Sequence, residues 1–359
     1  MKITFFGLTI TSSWGNGHAT TYRALCKALA RRGHTIDFIE KDVEWYRSNR
    51  DMPAPEYCSV IFYDEWTTSA NRLISSARES DVIVIGSYFP DAILAATALL
   101  DHGIGPVVFY DIDTPITLAA LRANHGGPEY LTPALIPHFA TYLSFTGGPA
   151  LRELEQRFGS PRALPFYCSV DPDLYRPSPS RAEFTCDLSY LGTYASDRQP
   201  KLMHLLNDSA ALLPHSQFIV AGPQYPADIS WQPNVHRIIH LSPREHAAFY
   251  SSSRFTLNLT RDDMALAGYS PSVRLFEASA CGAAILSDSW PGLDHFLTPG
   301  EEILLPQDNY EVVDLIRNLS DDERHSLGRR ARERILANHT SDHRAREFER
   351  IVETLPHTV

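Results

Sequence analysis

The segment Gly268–Gly282, with the sequence GYSPSVRLFEASACG, has the residue types of a helix start that can hold an anion. Ser270 or Ser272 can cap a helix at this point, and Pro271 suits its first turn. The unpaired N–H groups of such a helix end, including that of Val273, can bind a diphosphate. The pattern therefore predicts a phosphate-binding helix N-terminus.

Two charged residues follow inside this predicted helix. Arg274 and Glu277 are three residues apart and therefore lie on one helical face. An arginine can bind a phosphate through two hydrogen bonds, and a carboxylate one turn deeper can accept hydrogen bonds from both hydroxyls of a ribose. This combination fits a nucleotide diphosphate. The alternative is an amphipathic helix on which Arg274 and Glu277 form an ordinary surface pair.

A second candidate is the loop Thr9–His18, which follows a predicted strand and opens a helix. The small residues of this loop allow backbone N–H groups to approach a phosphate or an acceptor. The residues expected to make that contact are Gly15, Asn16 and Gly17. The third glycine of a dinucleotide fingerprint falls at Thr20, although Glu40 ends the second strand where a ribose-binding acid belongs. A tight turn, a phosphate- or acceptor-binding loop and an NAD site all remain open.

Candidate acid–base groups are His18, at the start of the first helix, and Asp113, after the fifth strand. His18 is a general base or a helix cap. Asp111 and Asp113 are two residues apart and share a strand face, which allows a divalent metal site. The alternatives for Asp113 are a helix cap and a contact in a ligand cleft.

These residues must be positioned by two sets of alternating strands and helices, which predict an α/β fold. A proline-rich passage from Pro161 to Pro179 separates the two sets and is interpreted as the interdomain linker. We predict two facing doubly wound, Rossmann-like domains with an interdomain cleft. The N-terminal domain spans residues 1–171 and includes a C-terminal helix at about 341–359, and the C-terminal domain spans residues 172–340.

Composition excludes several classes of protein. The 359 residues are 43% hydrophobic and carry a net charge of −11, which argues against a nucleic-acid partner. The five cysteines form no CxxC pair, so neither a disulfide framework nor a zinc site is expected. The N-terminus lacks a signal peptide pattern, and no apolar run reaches the roughly 20 residues of a transmembrane helix. We expect a cytoplasmic protein without a transmembrane segment.

The chain resembles GT-B glycosyltransferases, in particular the spore-maturation, CgeB-like enzymes related to glycosyltransferase family 4. The residues that carry the resemblance are Ser270–Glu277, Ala280–Gly282, Cys186–Gly192, Asp197–Lys201, Cys168–Pro172 and Pro299–Glu302.

The resemblance implies a role for several positions. Glu277 corresponds to the second glutamate of the family motif and would hold the ribose, while Arg198 and Lys201 would bind the diphosphate. The N-terminal domain would be the acceptor side, lined by Gly15 and Gly17, and the C-terminal domain would bind the nucleotide sugar. The donor-binding set is therefore Arg198, Lys201, Ser272, Val273, Arg274 and Glu277. The chain departs from the family at Tyr269, which stands where the first glutamate contacts the donor sugar.

The resulting hypothesis is a metal-independent hexosyl- or related glycosyltransferase that uses a nucleotide-diphosphate sugar as donor and needs no cofactor. If the reaction inverts, His18 or Asp113 is the base; if it retains, which the resemblance favours, the departing phosphate takes the acceptor proton. The alternatives are a sugar-nucleotide 2-epimerase and a non-catalytic sugar-nucleotide-binding protein. The sequence identifies neither the base and sugar of the donor, nor the acceptor, nor the oligomeric state.

Overall fold

The computed structural model describes residues 1–15, 17–123 and 126–355. The chain divides into an N-terminal unit, Met1–Ser169 with Ser341–Val359, and a C-terminal unit, Val170–Thr340. This division lies two residues before the predicted boundary, because Val170 already pairs with Thr340 inside the C-terminal unit.

The N-terminal unit contains a parallel sheet of seven strands among the described residues, in the order β3-β2-β1-β4-β5-β6-β7. The strands are β1 (Lys2–Phe6), β2 (Thr35–Lys41), β3 (Ser59–Tyr63), β4 (Val82–Gly86), β5 (Val107–Asp111), β6 (Thr141–Ser144) and β7 (Ala163–Pro165). The helices are α1 (Gly17–Arg31), α2 (Glu44–Arg47), α3 (Trp66–Ala77), α4 (Ala92–Asp101), α5 (Thr114–Arg122) and α6 (Pro149–Gln156).

The C-terminal unit contains a five-stranded parallel sheet in its described residues, in the order β10-β9-β8-β11-β12. The strands are β8 (Cys186–Leu191), β9 (Phe218–Ala221), β10 (Val235–Ile238), β11 (Ser253–Asn258) and β12 (Ala284–Ser287). The helices are α7 (Gln199–Leu202), α8 (Asp208–Leu212), α9 (Pro243–Ser252), α10 (Asp262–Ala267), α11 (Val273–Ala280), α12 (Asn309–Asn318) and α13 (Asp321–Asn338).

The last helix, α14 (Ser341–Glu353), belongs to the N-terminal unit and packs against α1. Its Phe348 stacks on Phe5 of β1, with ring centroids 6.4 Å apart, and Phe5 stacks on Phe38 of β2. All three rings are buried. The helix therefore covers one face of the seven-stranded sheet.

Both sheets have the strand order of Rossmann-like domains, and the predicted two-domain α/β fold is confirmed. In each sheet the order reverses beside the first strand, between β1 and β4 and between β8 and β11. Ligands of such sheets bind beyond the carboxyl ends of the strands at this switch point. The loops after β1, β4, β8 and β11 are therefore the places to look for a site.

The helical stretch between β8 and β9 is interrupted by a π-helical segment, Met203–Asn207, between α7 and α8. Its Asn207 is buried and accepts a hydrogen bond from Gln232 N at 2.8 Å, which anchors a loop of the same unit. The proline-rich passage is not a free linker, because it contains β7 and because Ser178 N donates to Ser251 Oγ of α9 at 3.1 Å.

Candidate functional site

The loop after β1 is held by the carboxylate of Glu40, at the end of β2. Ile10 N donates to Glu40 at 2.8 Å, Thr11 N at 3.2 Å and Thr11 Oγ1 at 2.5 Å. Glu40 is fully buried. Its oxygens are occupied by the loop itself, so the interpretation of Glu40 as the ribose-binding acid of an NAD site is wrong.

A second carboxylate, Asp51, binds the same loop. Ser13 N donates to Asp51 at 2.8 Å, and Arg23 of α1 binds both Asp51 oxygens at 2.9 and 2.8 Å. Burial raises the pKa of Asp51, but the hydrogen bond and charge of Arg23 outweigh it and lower the pKa to about 2. The amides of Ile10, Thr11 and Ser13 are therefore committed to carboxylates rather than directed at a phosphate.

The glycines of this loop lie at the start of α1. Gly15 has a left-handed backbone with φ of +62°, and Gly17 is the first residue of the helix. The predicted contact residue Asn16 lies outside the described residues. Two of the three predicted loop contacts are thus placed directly after the part of the loop that the carboxylates bind.

His18 and Asp113 lie together in the N-terminal unit. His18 Nε2 is 3.5 Å from Asp113 Oδ2, and the side chains are 12% and 23% exposed. Asp113 holds the N-cap position of α5, with Pro115 in the first turn, but its side chain makes no cap hydrogen bond. The His18 ring meets the edge of Tyr88, whose φ of +64° is rare for a side chain of this size. Tyr88 follows β4, so this cluster lies at the switch point of the sheet.

Asp111 does not fit the proposed metal site. It is fully buried and accepts hydrogen bonds from Tyr142, from Thr117 Oγ1 at 2.9 Å and from Asp113 N at 3.2 Å. Burial raises its pKa to about 6, and both of its oxygens are already taken by protein donors, which leaves it unsuited to hold a metal ion. Among the described residues, no cluster of three or more His, Cys, Asp or Glu side chains could hold a metal ion.

In the C-terminal unit, α11 begins as the sequence pattern suggests, with one difference. Ser272 is the N-cap, but its hydroxyl donates to Asn258 Oδ1 at 2.7 Å and makes no cap hydrogen bond. Pro271 precedes the N-cap and is not in the first turn as predicted. The side chain of Ser272 thus leaves the first N–H groups of α11, including that of Val273, uncapped.

Arg274 extends from α11 to the end of β8. Its Nε donates to Leu191 O, its Nη1 donates to Asn258 Oδ1 at 2.9 Å, and its guanidinium lies 4.9 Å from the centre of the Tyr190 ring. A Cβ at Gly192 would lie 2.7 Å from Arg274 Nη2, so a larger residue there would displace the guanidinium. Arg274 is therefore fixed beside the loop that follows β8.

Arg198 reaches the same loop, whereas Lys201 does not. Arg198 Nη2 donates to Thr193 O at 2.7 Å, and its buried Nε has no hydrogen-bond partner among the described residues. Lys201 Nζ lies 3.0 Å from Asp262 and 3.4 Å from Asp288, after β11 and β12. Within the described chain, neither Arg198 nor Arg274 forms an ion pair, so two guanidinium charges lie near the Gly192 loop without a carboxylate.

The loops after β8 and β11 are joined to each other. Arg261 Nε is 3.5 Å from Asp197 Oδ2, and Asp262 N donates to the same oxygen at 3.0 Å. Asp197 directly precedes Arg198 in the sequence. The arginines, Lys201 and the two loops therefore occupy the switch point of the five-stranded sheet.

Glu277 is buried, with 6% of its surface exposed, which excludes the surface pair with Arg274. His246 Nδ1 of α9 lies 3.8 Å from Glu277 Oε2. Burial raises the pKa of Glu277 to about 7, against the opposing effects of Tyr175, Arg274 and Tyr250. Sequence reasoning missed His246, Tyr175 and Tyr250, because nothing in their spacing links them to α11.

Comparison with known proteins places these observations in a family context. Residues 198–350 match the family model described as "Glycosyl transferase-like". No curated protein matches the chain. Every helix in residues 1–15, 17–123 and 126–355 is too short or too polar to cross a membrane.

Solved structures match the whole length of the chain. Sucrose-phosphate synthase from Thermosynechococcus elongatus is 14% identical with a TM-score of 0.72, covering 98% of each chain. HepE from Anabaena, in complex with UDP-glucose, is 13% identical with a TM-score of 0.69, covering 99% of this chain and 100% of its own. An alpha-glucosyltransferase in complex with UDP-glucose and DNA is 15% identical with a TM-score of 0.71, at the same coverage. The chain therefore has the GT-B fold, and its residues 198–350 form a glycosyl transferase-like segment.

Proposed function

We propose that the protein is a glycosyltransferase that moves a sugar from a nucleotide-diphosphate sugar to an acceptor, and that its C-terminal unit binds the donor. The observation that carries this proposal is the pair Arg198 and Arg274, two guanidinium groups near one loop without a carboxylate partner in the described chain. The uncapped start of α11 adds further N–H donors. A diphosphate is the anion that this set of donors fits best.

The arginines also bear on the chemistry of the leaving group. Sugar transfer leaves negative charge on the departing diphosphate, and fixed cations and helix N–H groups stabilise that charge. Lys201 can join them by exchanging Asp262, whose side chain is 64% exposed, because exposed ion pairs contribute little stability. We therefore propose that transfer requires no metal ion.

Glu277 is the proposed ribose contact. It lies one turn after Arg274 on α11, and an ionised carboxylate accepts hydrogen bonds from two hydroxyls at once. Since HepE and the alpha-glucosyltransferase were solved with UDP-glucose, we propose a UDP-hexose as donor. The motif around α11 supports placement among CgeB-like, family-4-like enzymes, and we propose a cytoplasmic location.

The N-terminal unit is the proposed acceptor side, with Gly15 and Gly17 lining it. We propose a retaining reaction, in which the departing phosphate takes the acceptor proton. The pair His18 and Asp113, at 3.5 Å, would then orient the acceptor hydroxyl. In an inverting reaction the same pair would supply the base.

The test is a titration of UDP-glucose, and of its 2′-deoxyribose analogue, into wild type, Glu277→Ala and Glu277→Gln. Hydrogen bonds to a charged group contribute about 1.5–3 kcal/mol each, so Glu277→Ala should weaken binding by about 10- to 1000-fold, with Glu277→Gln between it and wild type. Glu333→Ala, at an exposed position of α13, is the matched control. Equal affinity in Glu277→Ala and wild type would contradict the ribose assignment.

Activity assays complete the test. Turnover with an acceptor panel should persist in EDTA and should yield a glycosylated product. A new nucleotide sugar formed without acceptor would instead identify an epimerase. Binding without turnover across the panel would favour a non-catalytic sugar-nucleotide-binding protein.

A further inference from the structure

The Glu277 carboxyl group faces a histidine whose proton position follows from its contacts. His246 Nε2 lies 3.3 Å from Leu241 O, and a carbonyl oxygen only accepts, so Nε2 carries the hydrogen. Burial lowers the pKa of His246 to about 4, so the ring is neutral at pH 7. Nδ1 is therefore a lone-pair acceptor.

Two oxygen atoms surround this acceptor. Tyr175 Oη is 3.3 Å from His246 Nδ1, and Glu277 Oε2 is 3.8 Å from it. Tyr175 has one hydroxyl hydrogen for two acceptors. If Glu277 were ionised, its carboxylate oxygen would face the lone pair of His246 Nδ1 in a buried site. This contact is unfavourable unless a proton lies between the two atoms.

Tyr175, Arg274 and Tyr250 favour an ionised Glu277, but they do not outweigh its burial. Arg274, on the same helix, is engaged by Leu191 O and Asn258, and Arg332 of α13 donates to Ala280 O at 3.1 Å. Burial raises the pKa of Glu277 to about 7, in agreement with the contacts. The titratable and charged groups around Glu277 and its neighbour His246 are Tyr175, His240, His246, Tyr250, Arg274, Cys281 and Arg332.

We propose that Glu277 is a carboxylic acid in the empty site, where the lone pair of His246 faces it and the hydroxyl of Tyr175 sets how readily it ionises, and that nucleotide binding releases this proton. The O–H bond of Glu277 breaks, the proton leaves to solvent, and the two ribose hydroxyls donate to the carboxylate that forms. The inference rests on the proposed function, because it takes Glu277 as the ribose contact.

Tyr175 is placed by a turn of the connecting segment. Tyr175 N donates to Asp171 O at 2.9 Å, and Asp173 N donates to Asp171 Oδ1 at 3.0 Å. Asp171 is 8% exposed. Through Tyr175, the carboxyl group of Glu277 is thereby in contact with the segment that follows the division between the two units.

The experiment is isothermal titration of UDP-glucose between pH 6 and 8.5, in buffers with different ionisation enthalpies. UDP-glucose does not change charge in this range. Wild type should lose about tenfold in affinity per pH unit below 7 and release up to about one proton at pH 6. Glu277→Gln should show no pH dependence. Tyr175→Phe removes a hydroxyl that lowers the pKa of Glu277, so its profile should shift to higher pH.

Tyr310→Phe, at an exposed position of α12, is the control and should match wild type. A pH-independent affinity in wild type would overturn the inference, and a Tyr175→Phe profile equal to that of wild type would overturn the role of Tyr175. If no nucleotide binds at any pH, the proposed function fails. An NMR titration of the Glu277 carboxyl carbon in the empty protein then decides the protonation separately: titration near pH 7 supports it and titration near pH 4.5 contradicts it.

Discussion

The two units place a loop after their first strand in the same topological position, but the charges around the two loops differ. The arginines that contact the loop after β1, Arg23 and Arg50, are paired with carboxylates, whereas Arg198 and Arg274 beside the loop after β8 form no ion pair in the described chain. In the N-terminal unit, Glu40 and Asp51 bind the amides of the loop after β1. In the C-terminal unit, Arg198 and Arg274 hold the carbonyl groups of Leu191 and Thr193, at the end of β8 and in the loop after it.

This difference explains why a Rossmann-like strand order alone does not predict an anion site. In the loop after β1, the N–H groups of Ile10, Thr11 and Ser13 are already bound to carboxylates and are not available to a phosphate. Beside the loop after β8 lie two arginines that form no ion pair in the described chain, and the start of α11 has no side-chain cap, because the Ser272 hydroxyl donates to Asn258. The side chains that surround the switch point, rather than its topology, determine the ligand that each unit can bind.

The largest effect is expected from removing the arginines. The double variant Arg198→Ala/Arg274→Ala should weaken UDP-glucose binding by about 1000-fold, or about 4 kcal/mol, because two charge-assisted contacts are lost. Calorimetric titration measures this. Arg329→Ala, at an exposed position of α13, should stay within about twofold of wild type. If the double variant binds UDP-glucose as tightly as wild type, Arg198 and Arg274 do not bind the diphosphate, and the proposed difference between the two units is wrong.

The converse change in the N-terminal unit should affect stability and not binding. Glu40→Ala leaves buried donors of Ile10 and Thr11 without an acceptor, which should lower the free energy of unfolding by about 3 kcal/mol. Urea denaturation measures this, with the exposed Glu56→Ala as control. A tenfold change in UDP-glucose affinity of the folded variant would show that the N-terminal loop takes part in donor binding.

The buried acid of the C-terminal unit should make stability depend on pH. Because the pKa of Glu277 is raised from 4.5 to about 7 on folding, the folded chain binds more protons in that window, and this stability is lost as pH rises through 7. The wild-type loss should exceed that of Glu277→Gln by up to about 3 kcal/mol between pH 4.5 and 8. Parallel pH curves for the two proteins would contradict the burial of an ionisable Glu277.

The smallest effect concerns the carboxylate that competes for Lys201. Asp262→Asn removes an exposed partner 3.0 Å from Lys201, so UDP-glucose should bind about two- to fivefold more tightly at low salt and nearly equally at high salt. Asp263→Asn, the adjacent residue on α10, is the matched control. Weaker binding by Asp262→Asn would mean that Lys201 needs this carboxylate for its position.

The sequence predicts the fold well because each element carries its own signal. Buried runs such as Val82–Gly86 and the spacing of Leu25 and Leu29 are local patterns. The start of α11 was also predictable, because Ser272 and Arg274 lie within one short segment. The π-helical turn at Met203–Asn207 was not, because it depends on a loop contact that spacing does not reveal.

The site was predictable only where its residues are neighbours in the sequence. The position of Glu40 in the sequence suggests a ribose ligand, but in the structure Ile10 and Thr11 donate to its carboxylate. The contacts of Tyr175 and His246 with Glu277 join three distant segments. Such contacts arise from tertiary packing, which periodicity and capping rules do not describe.

The most direct test of the account is a crystal structure of the full chain with UDP-glucose. We predict that the diphosphate lies within hydrogen-bond distance of Arg198, Arg274 and the first N–H groups of α11, with both ribose hydroxyls on Glu277. A diphosphate bound instead by the N-terminal loop at Gly15 and Gly17, with Arg198 and Arg274 free of ligand, would contradict it.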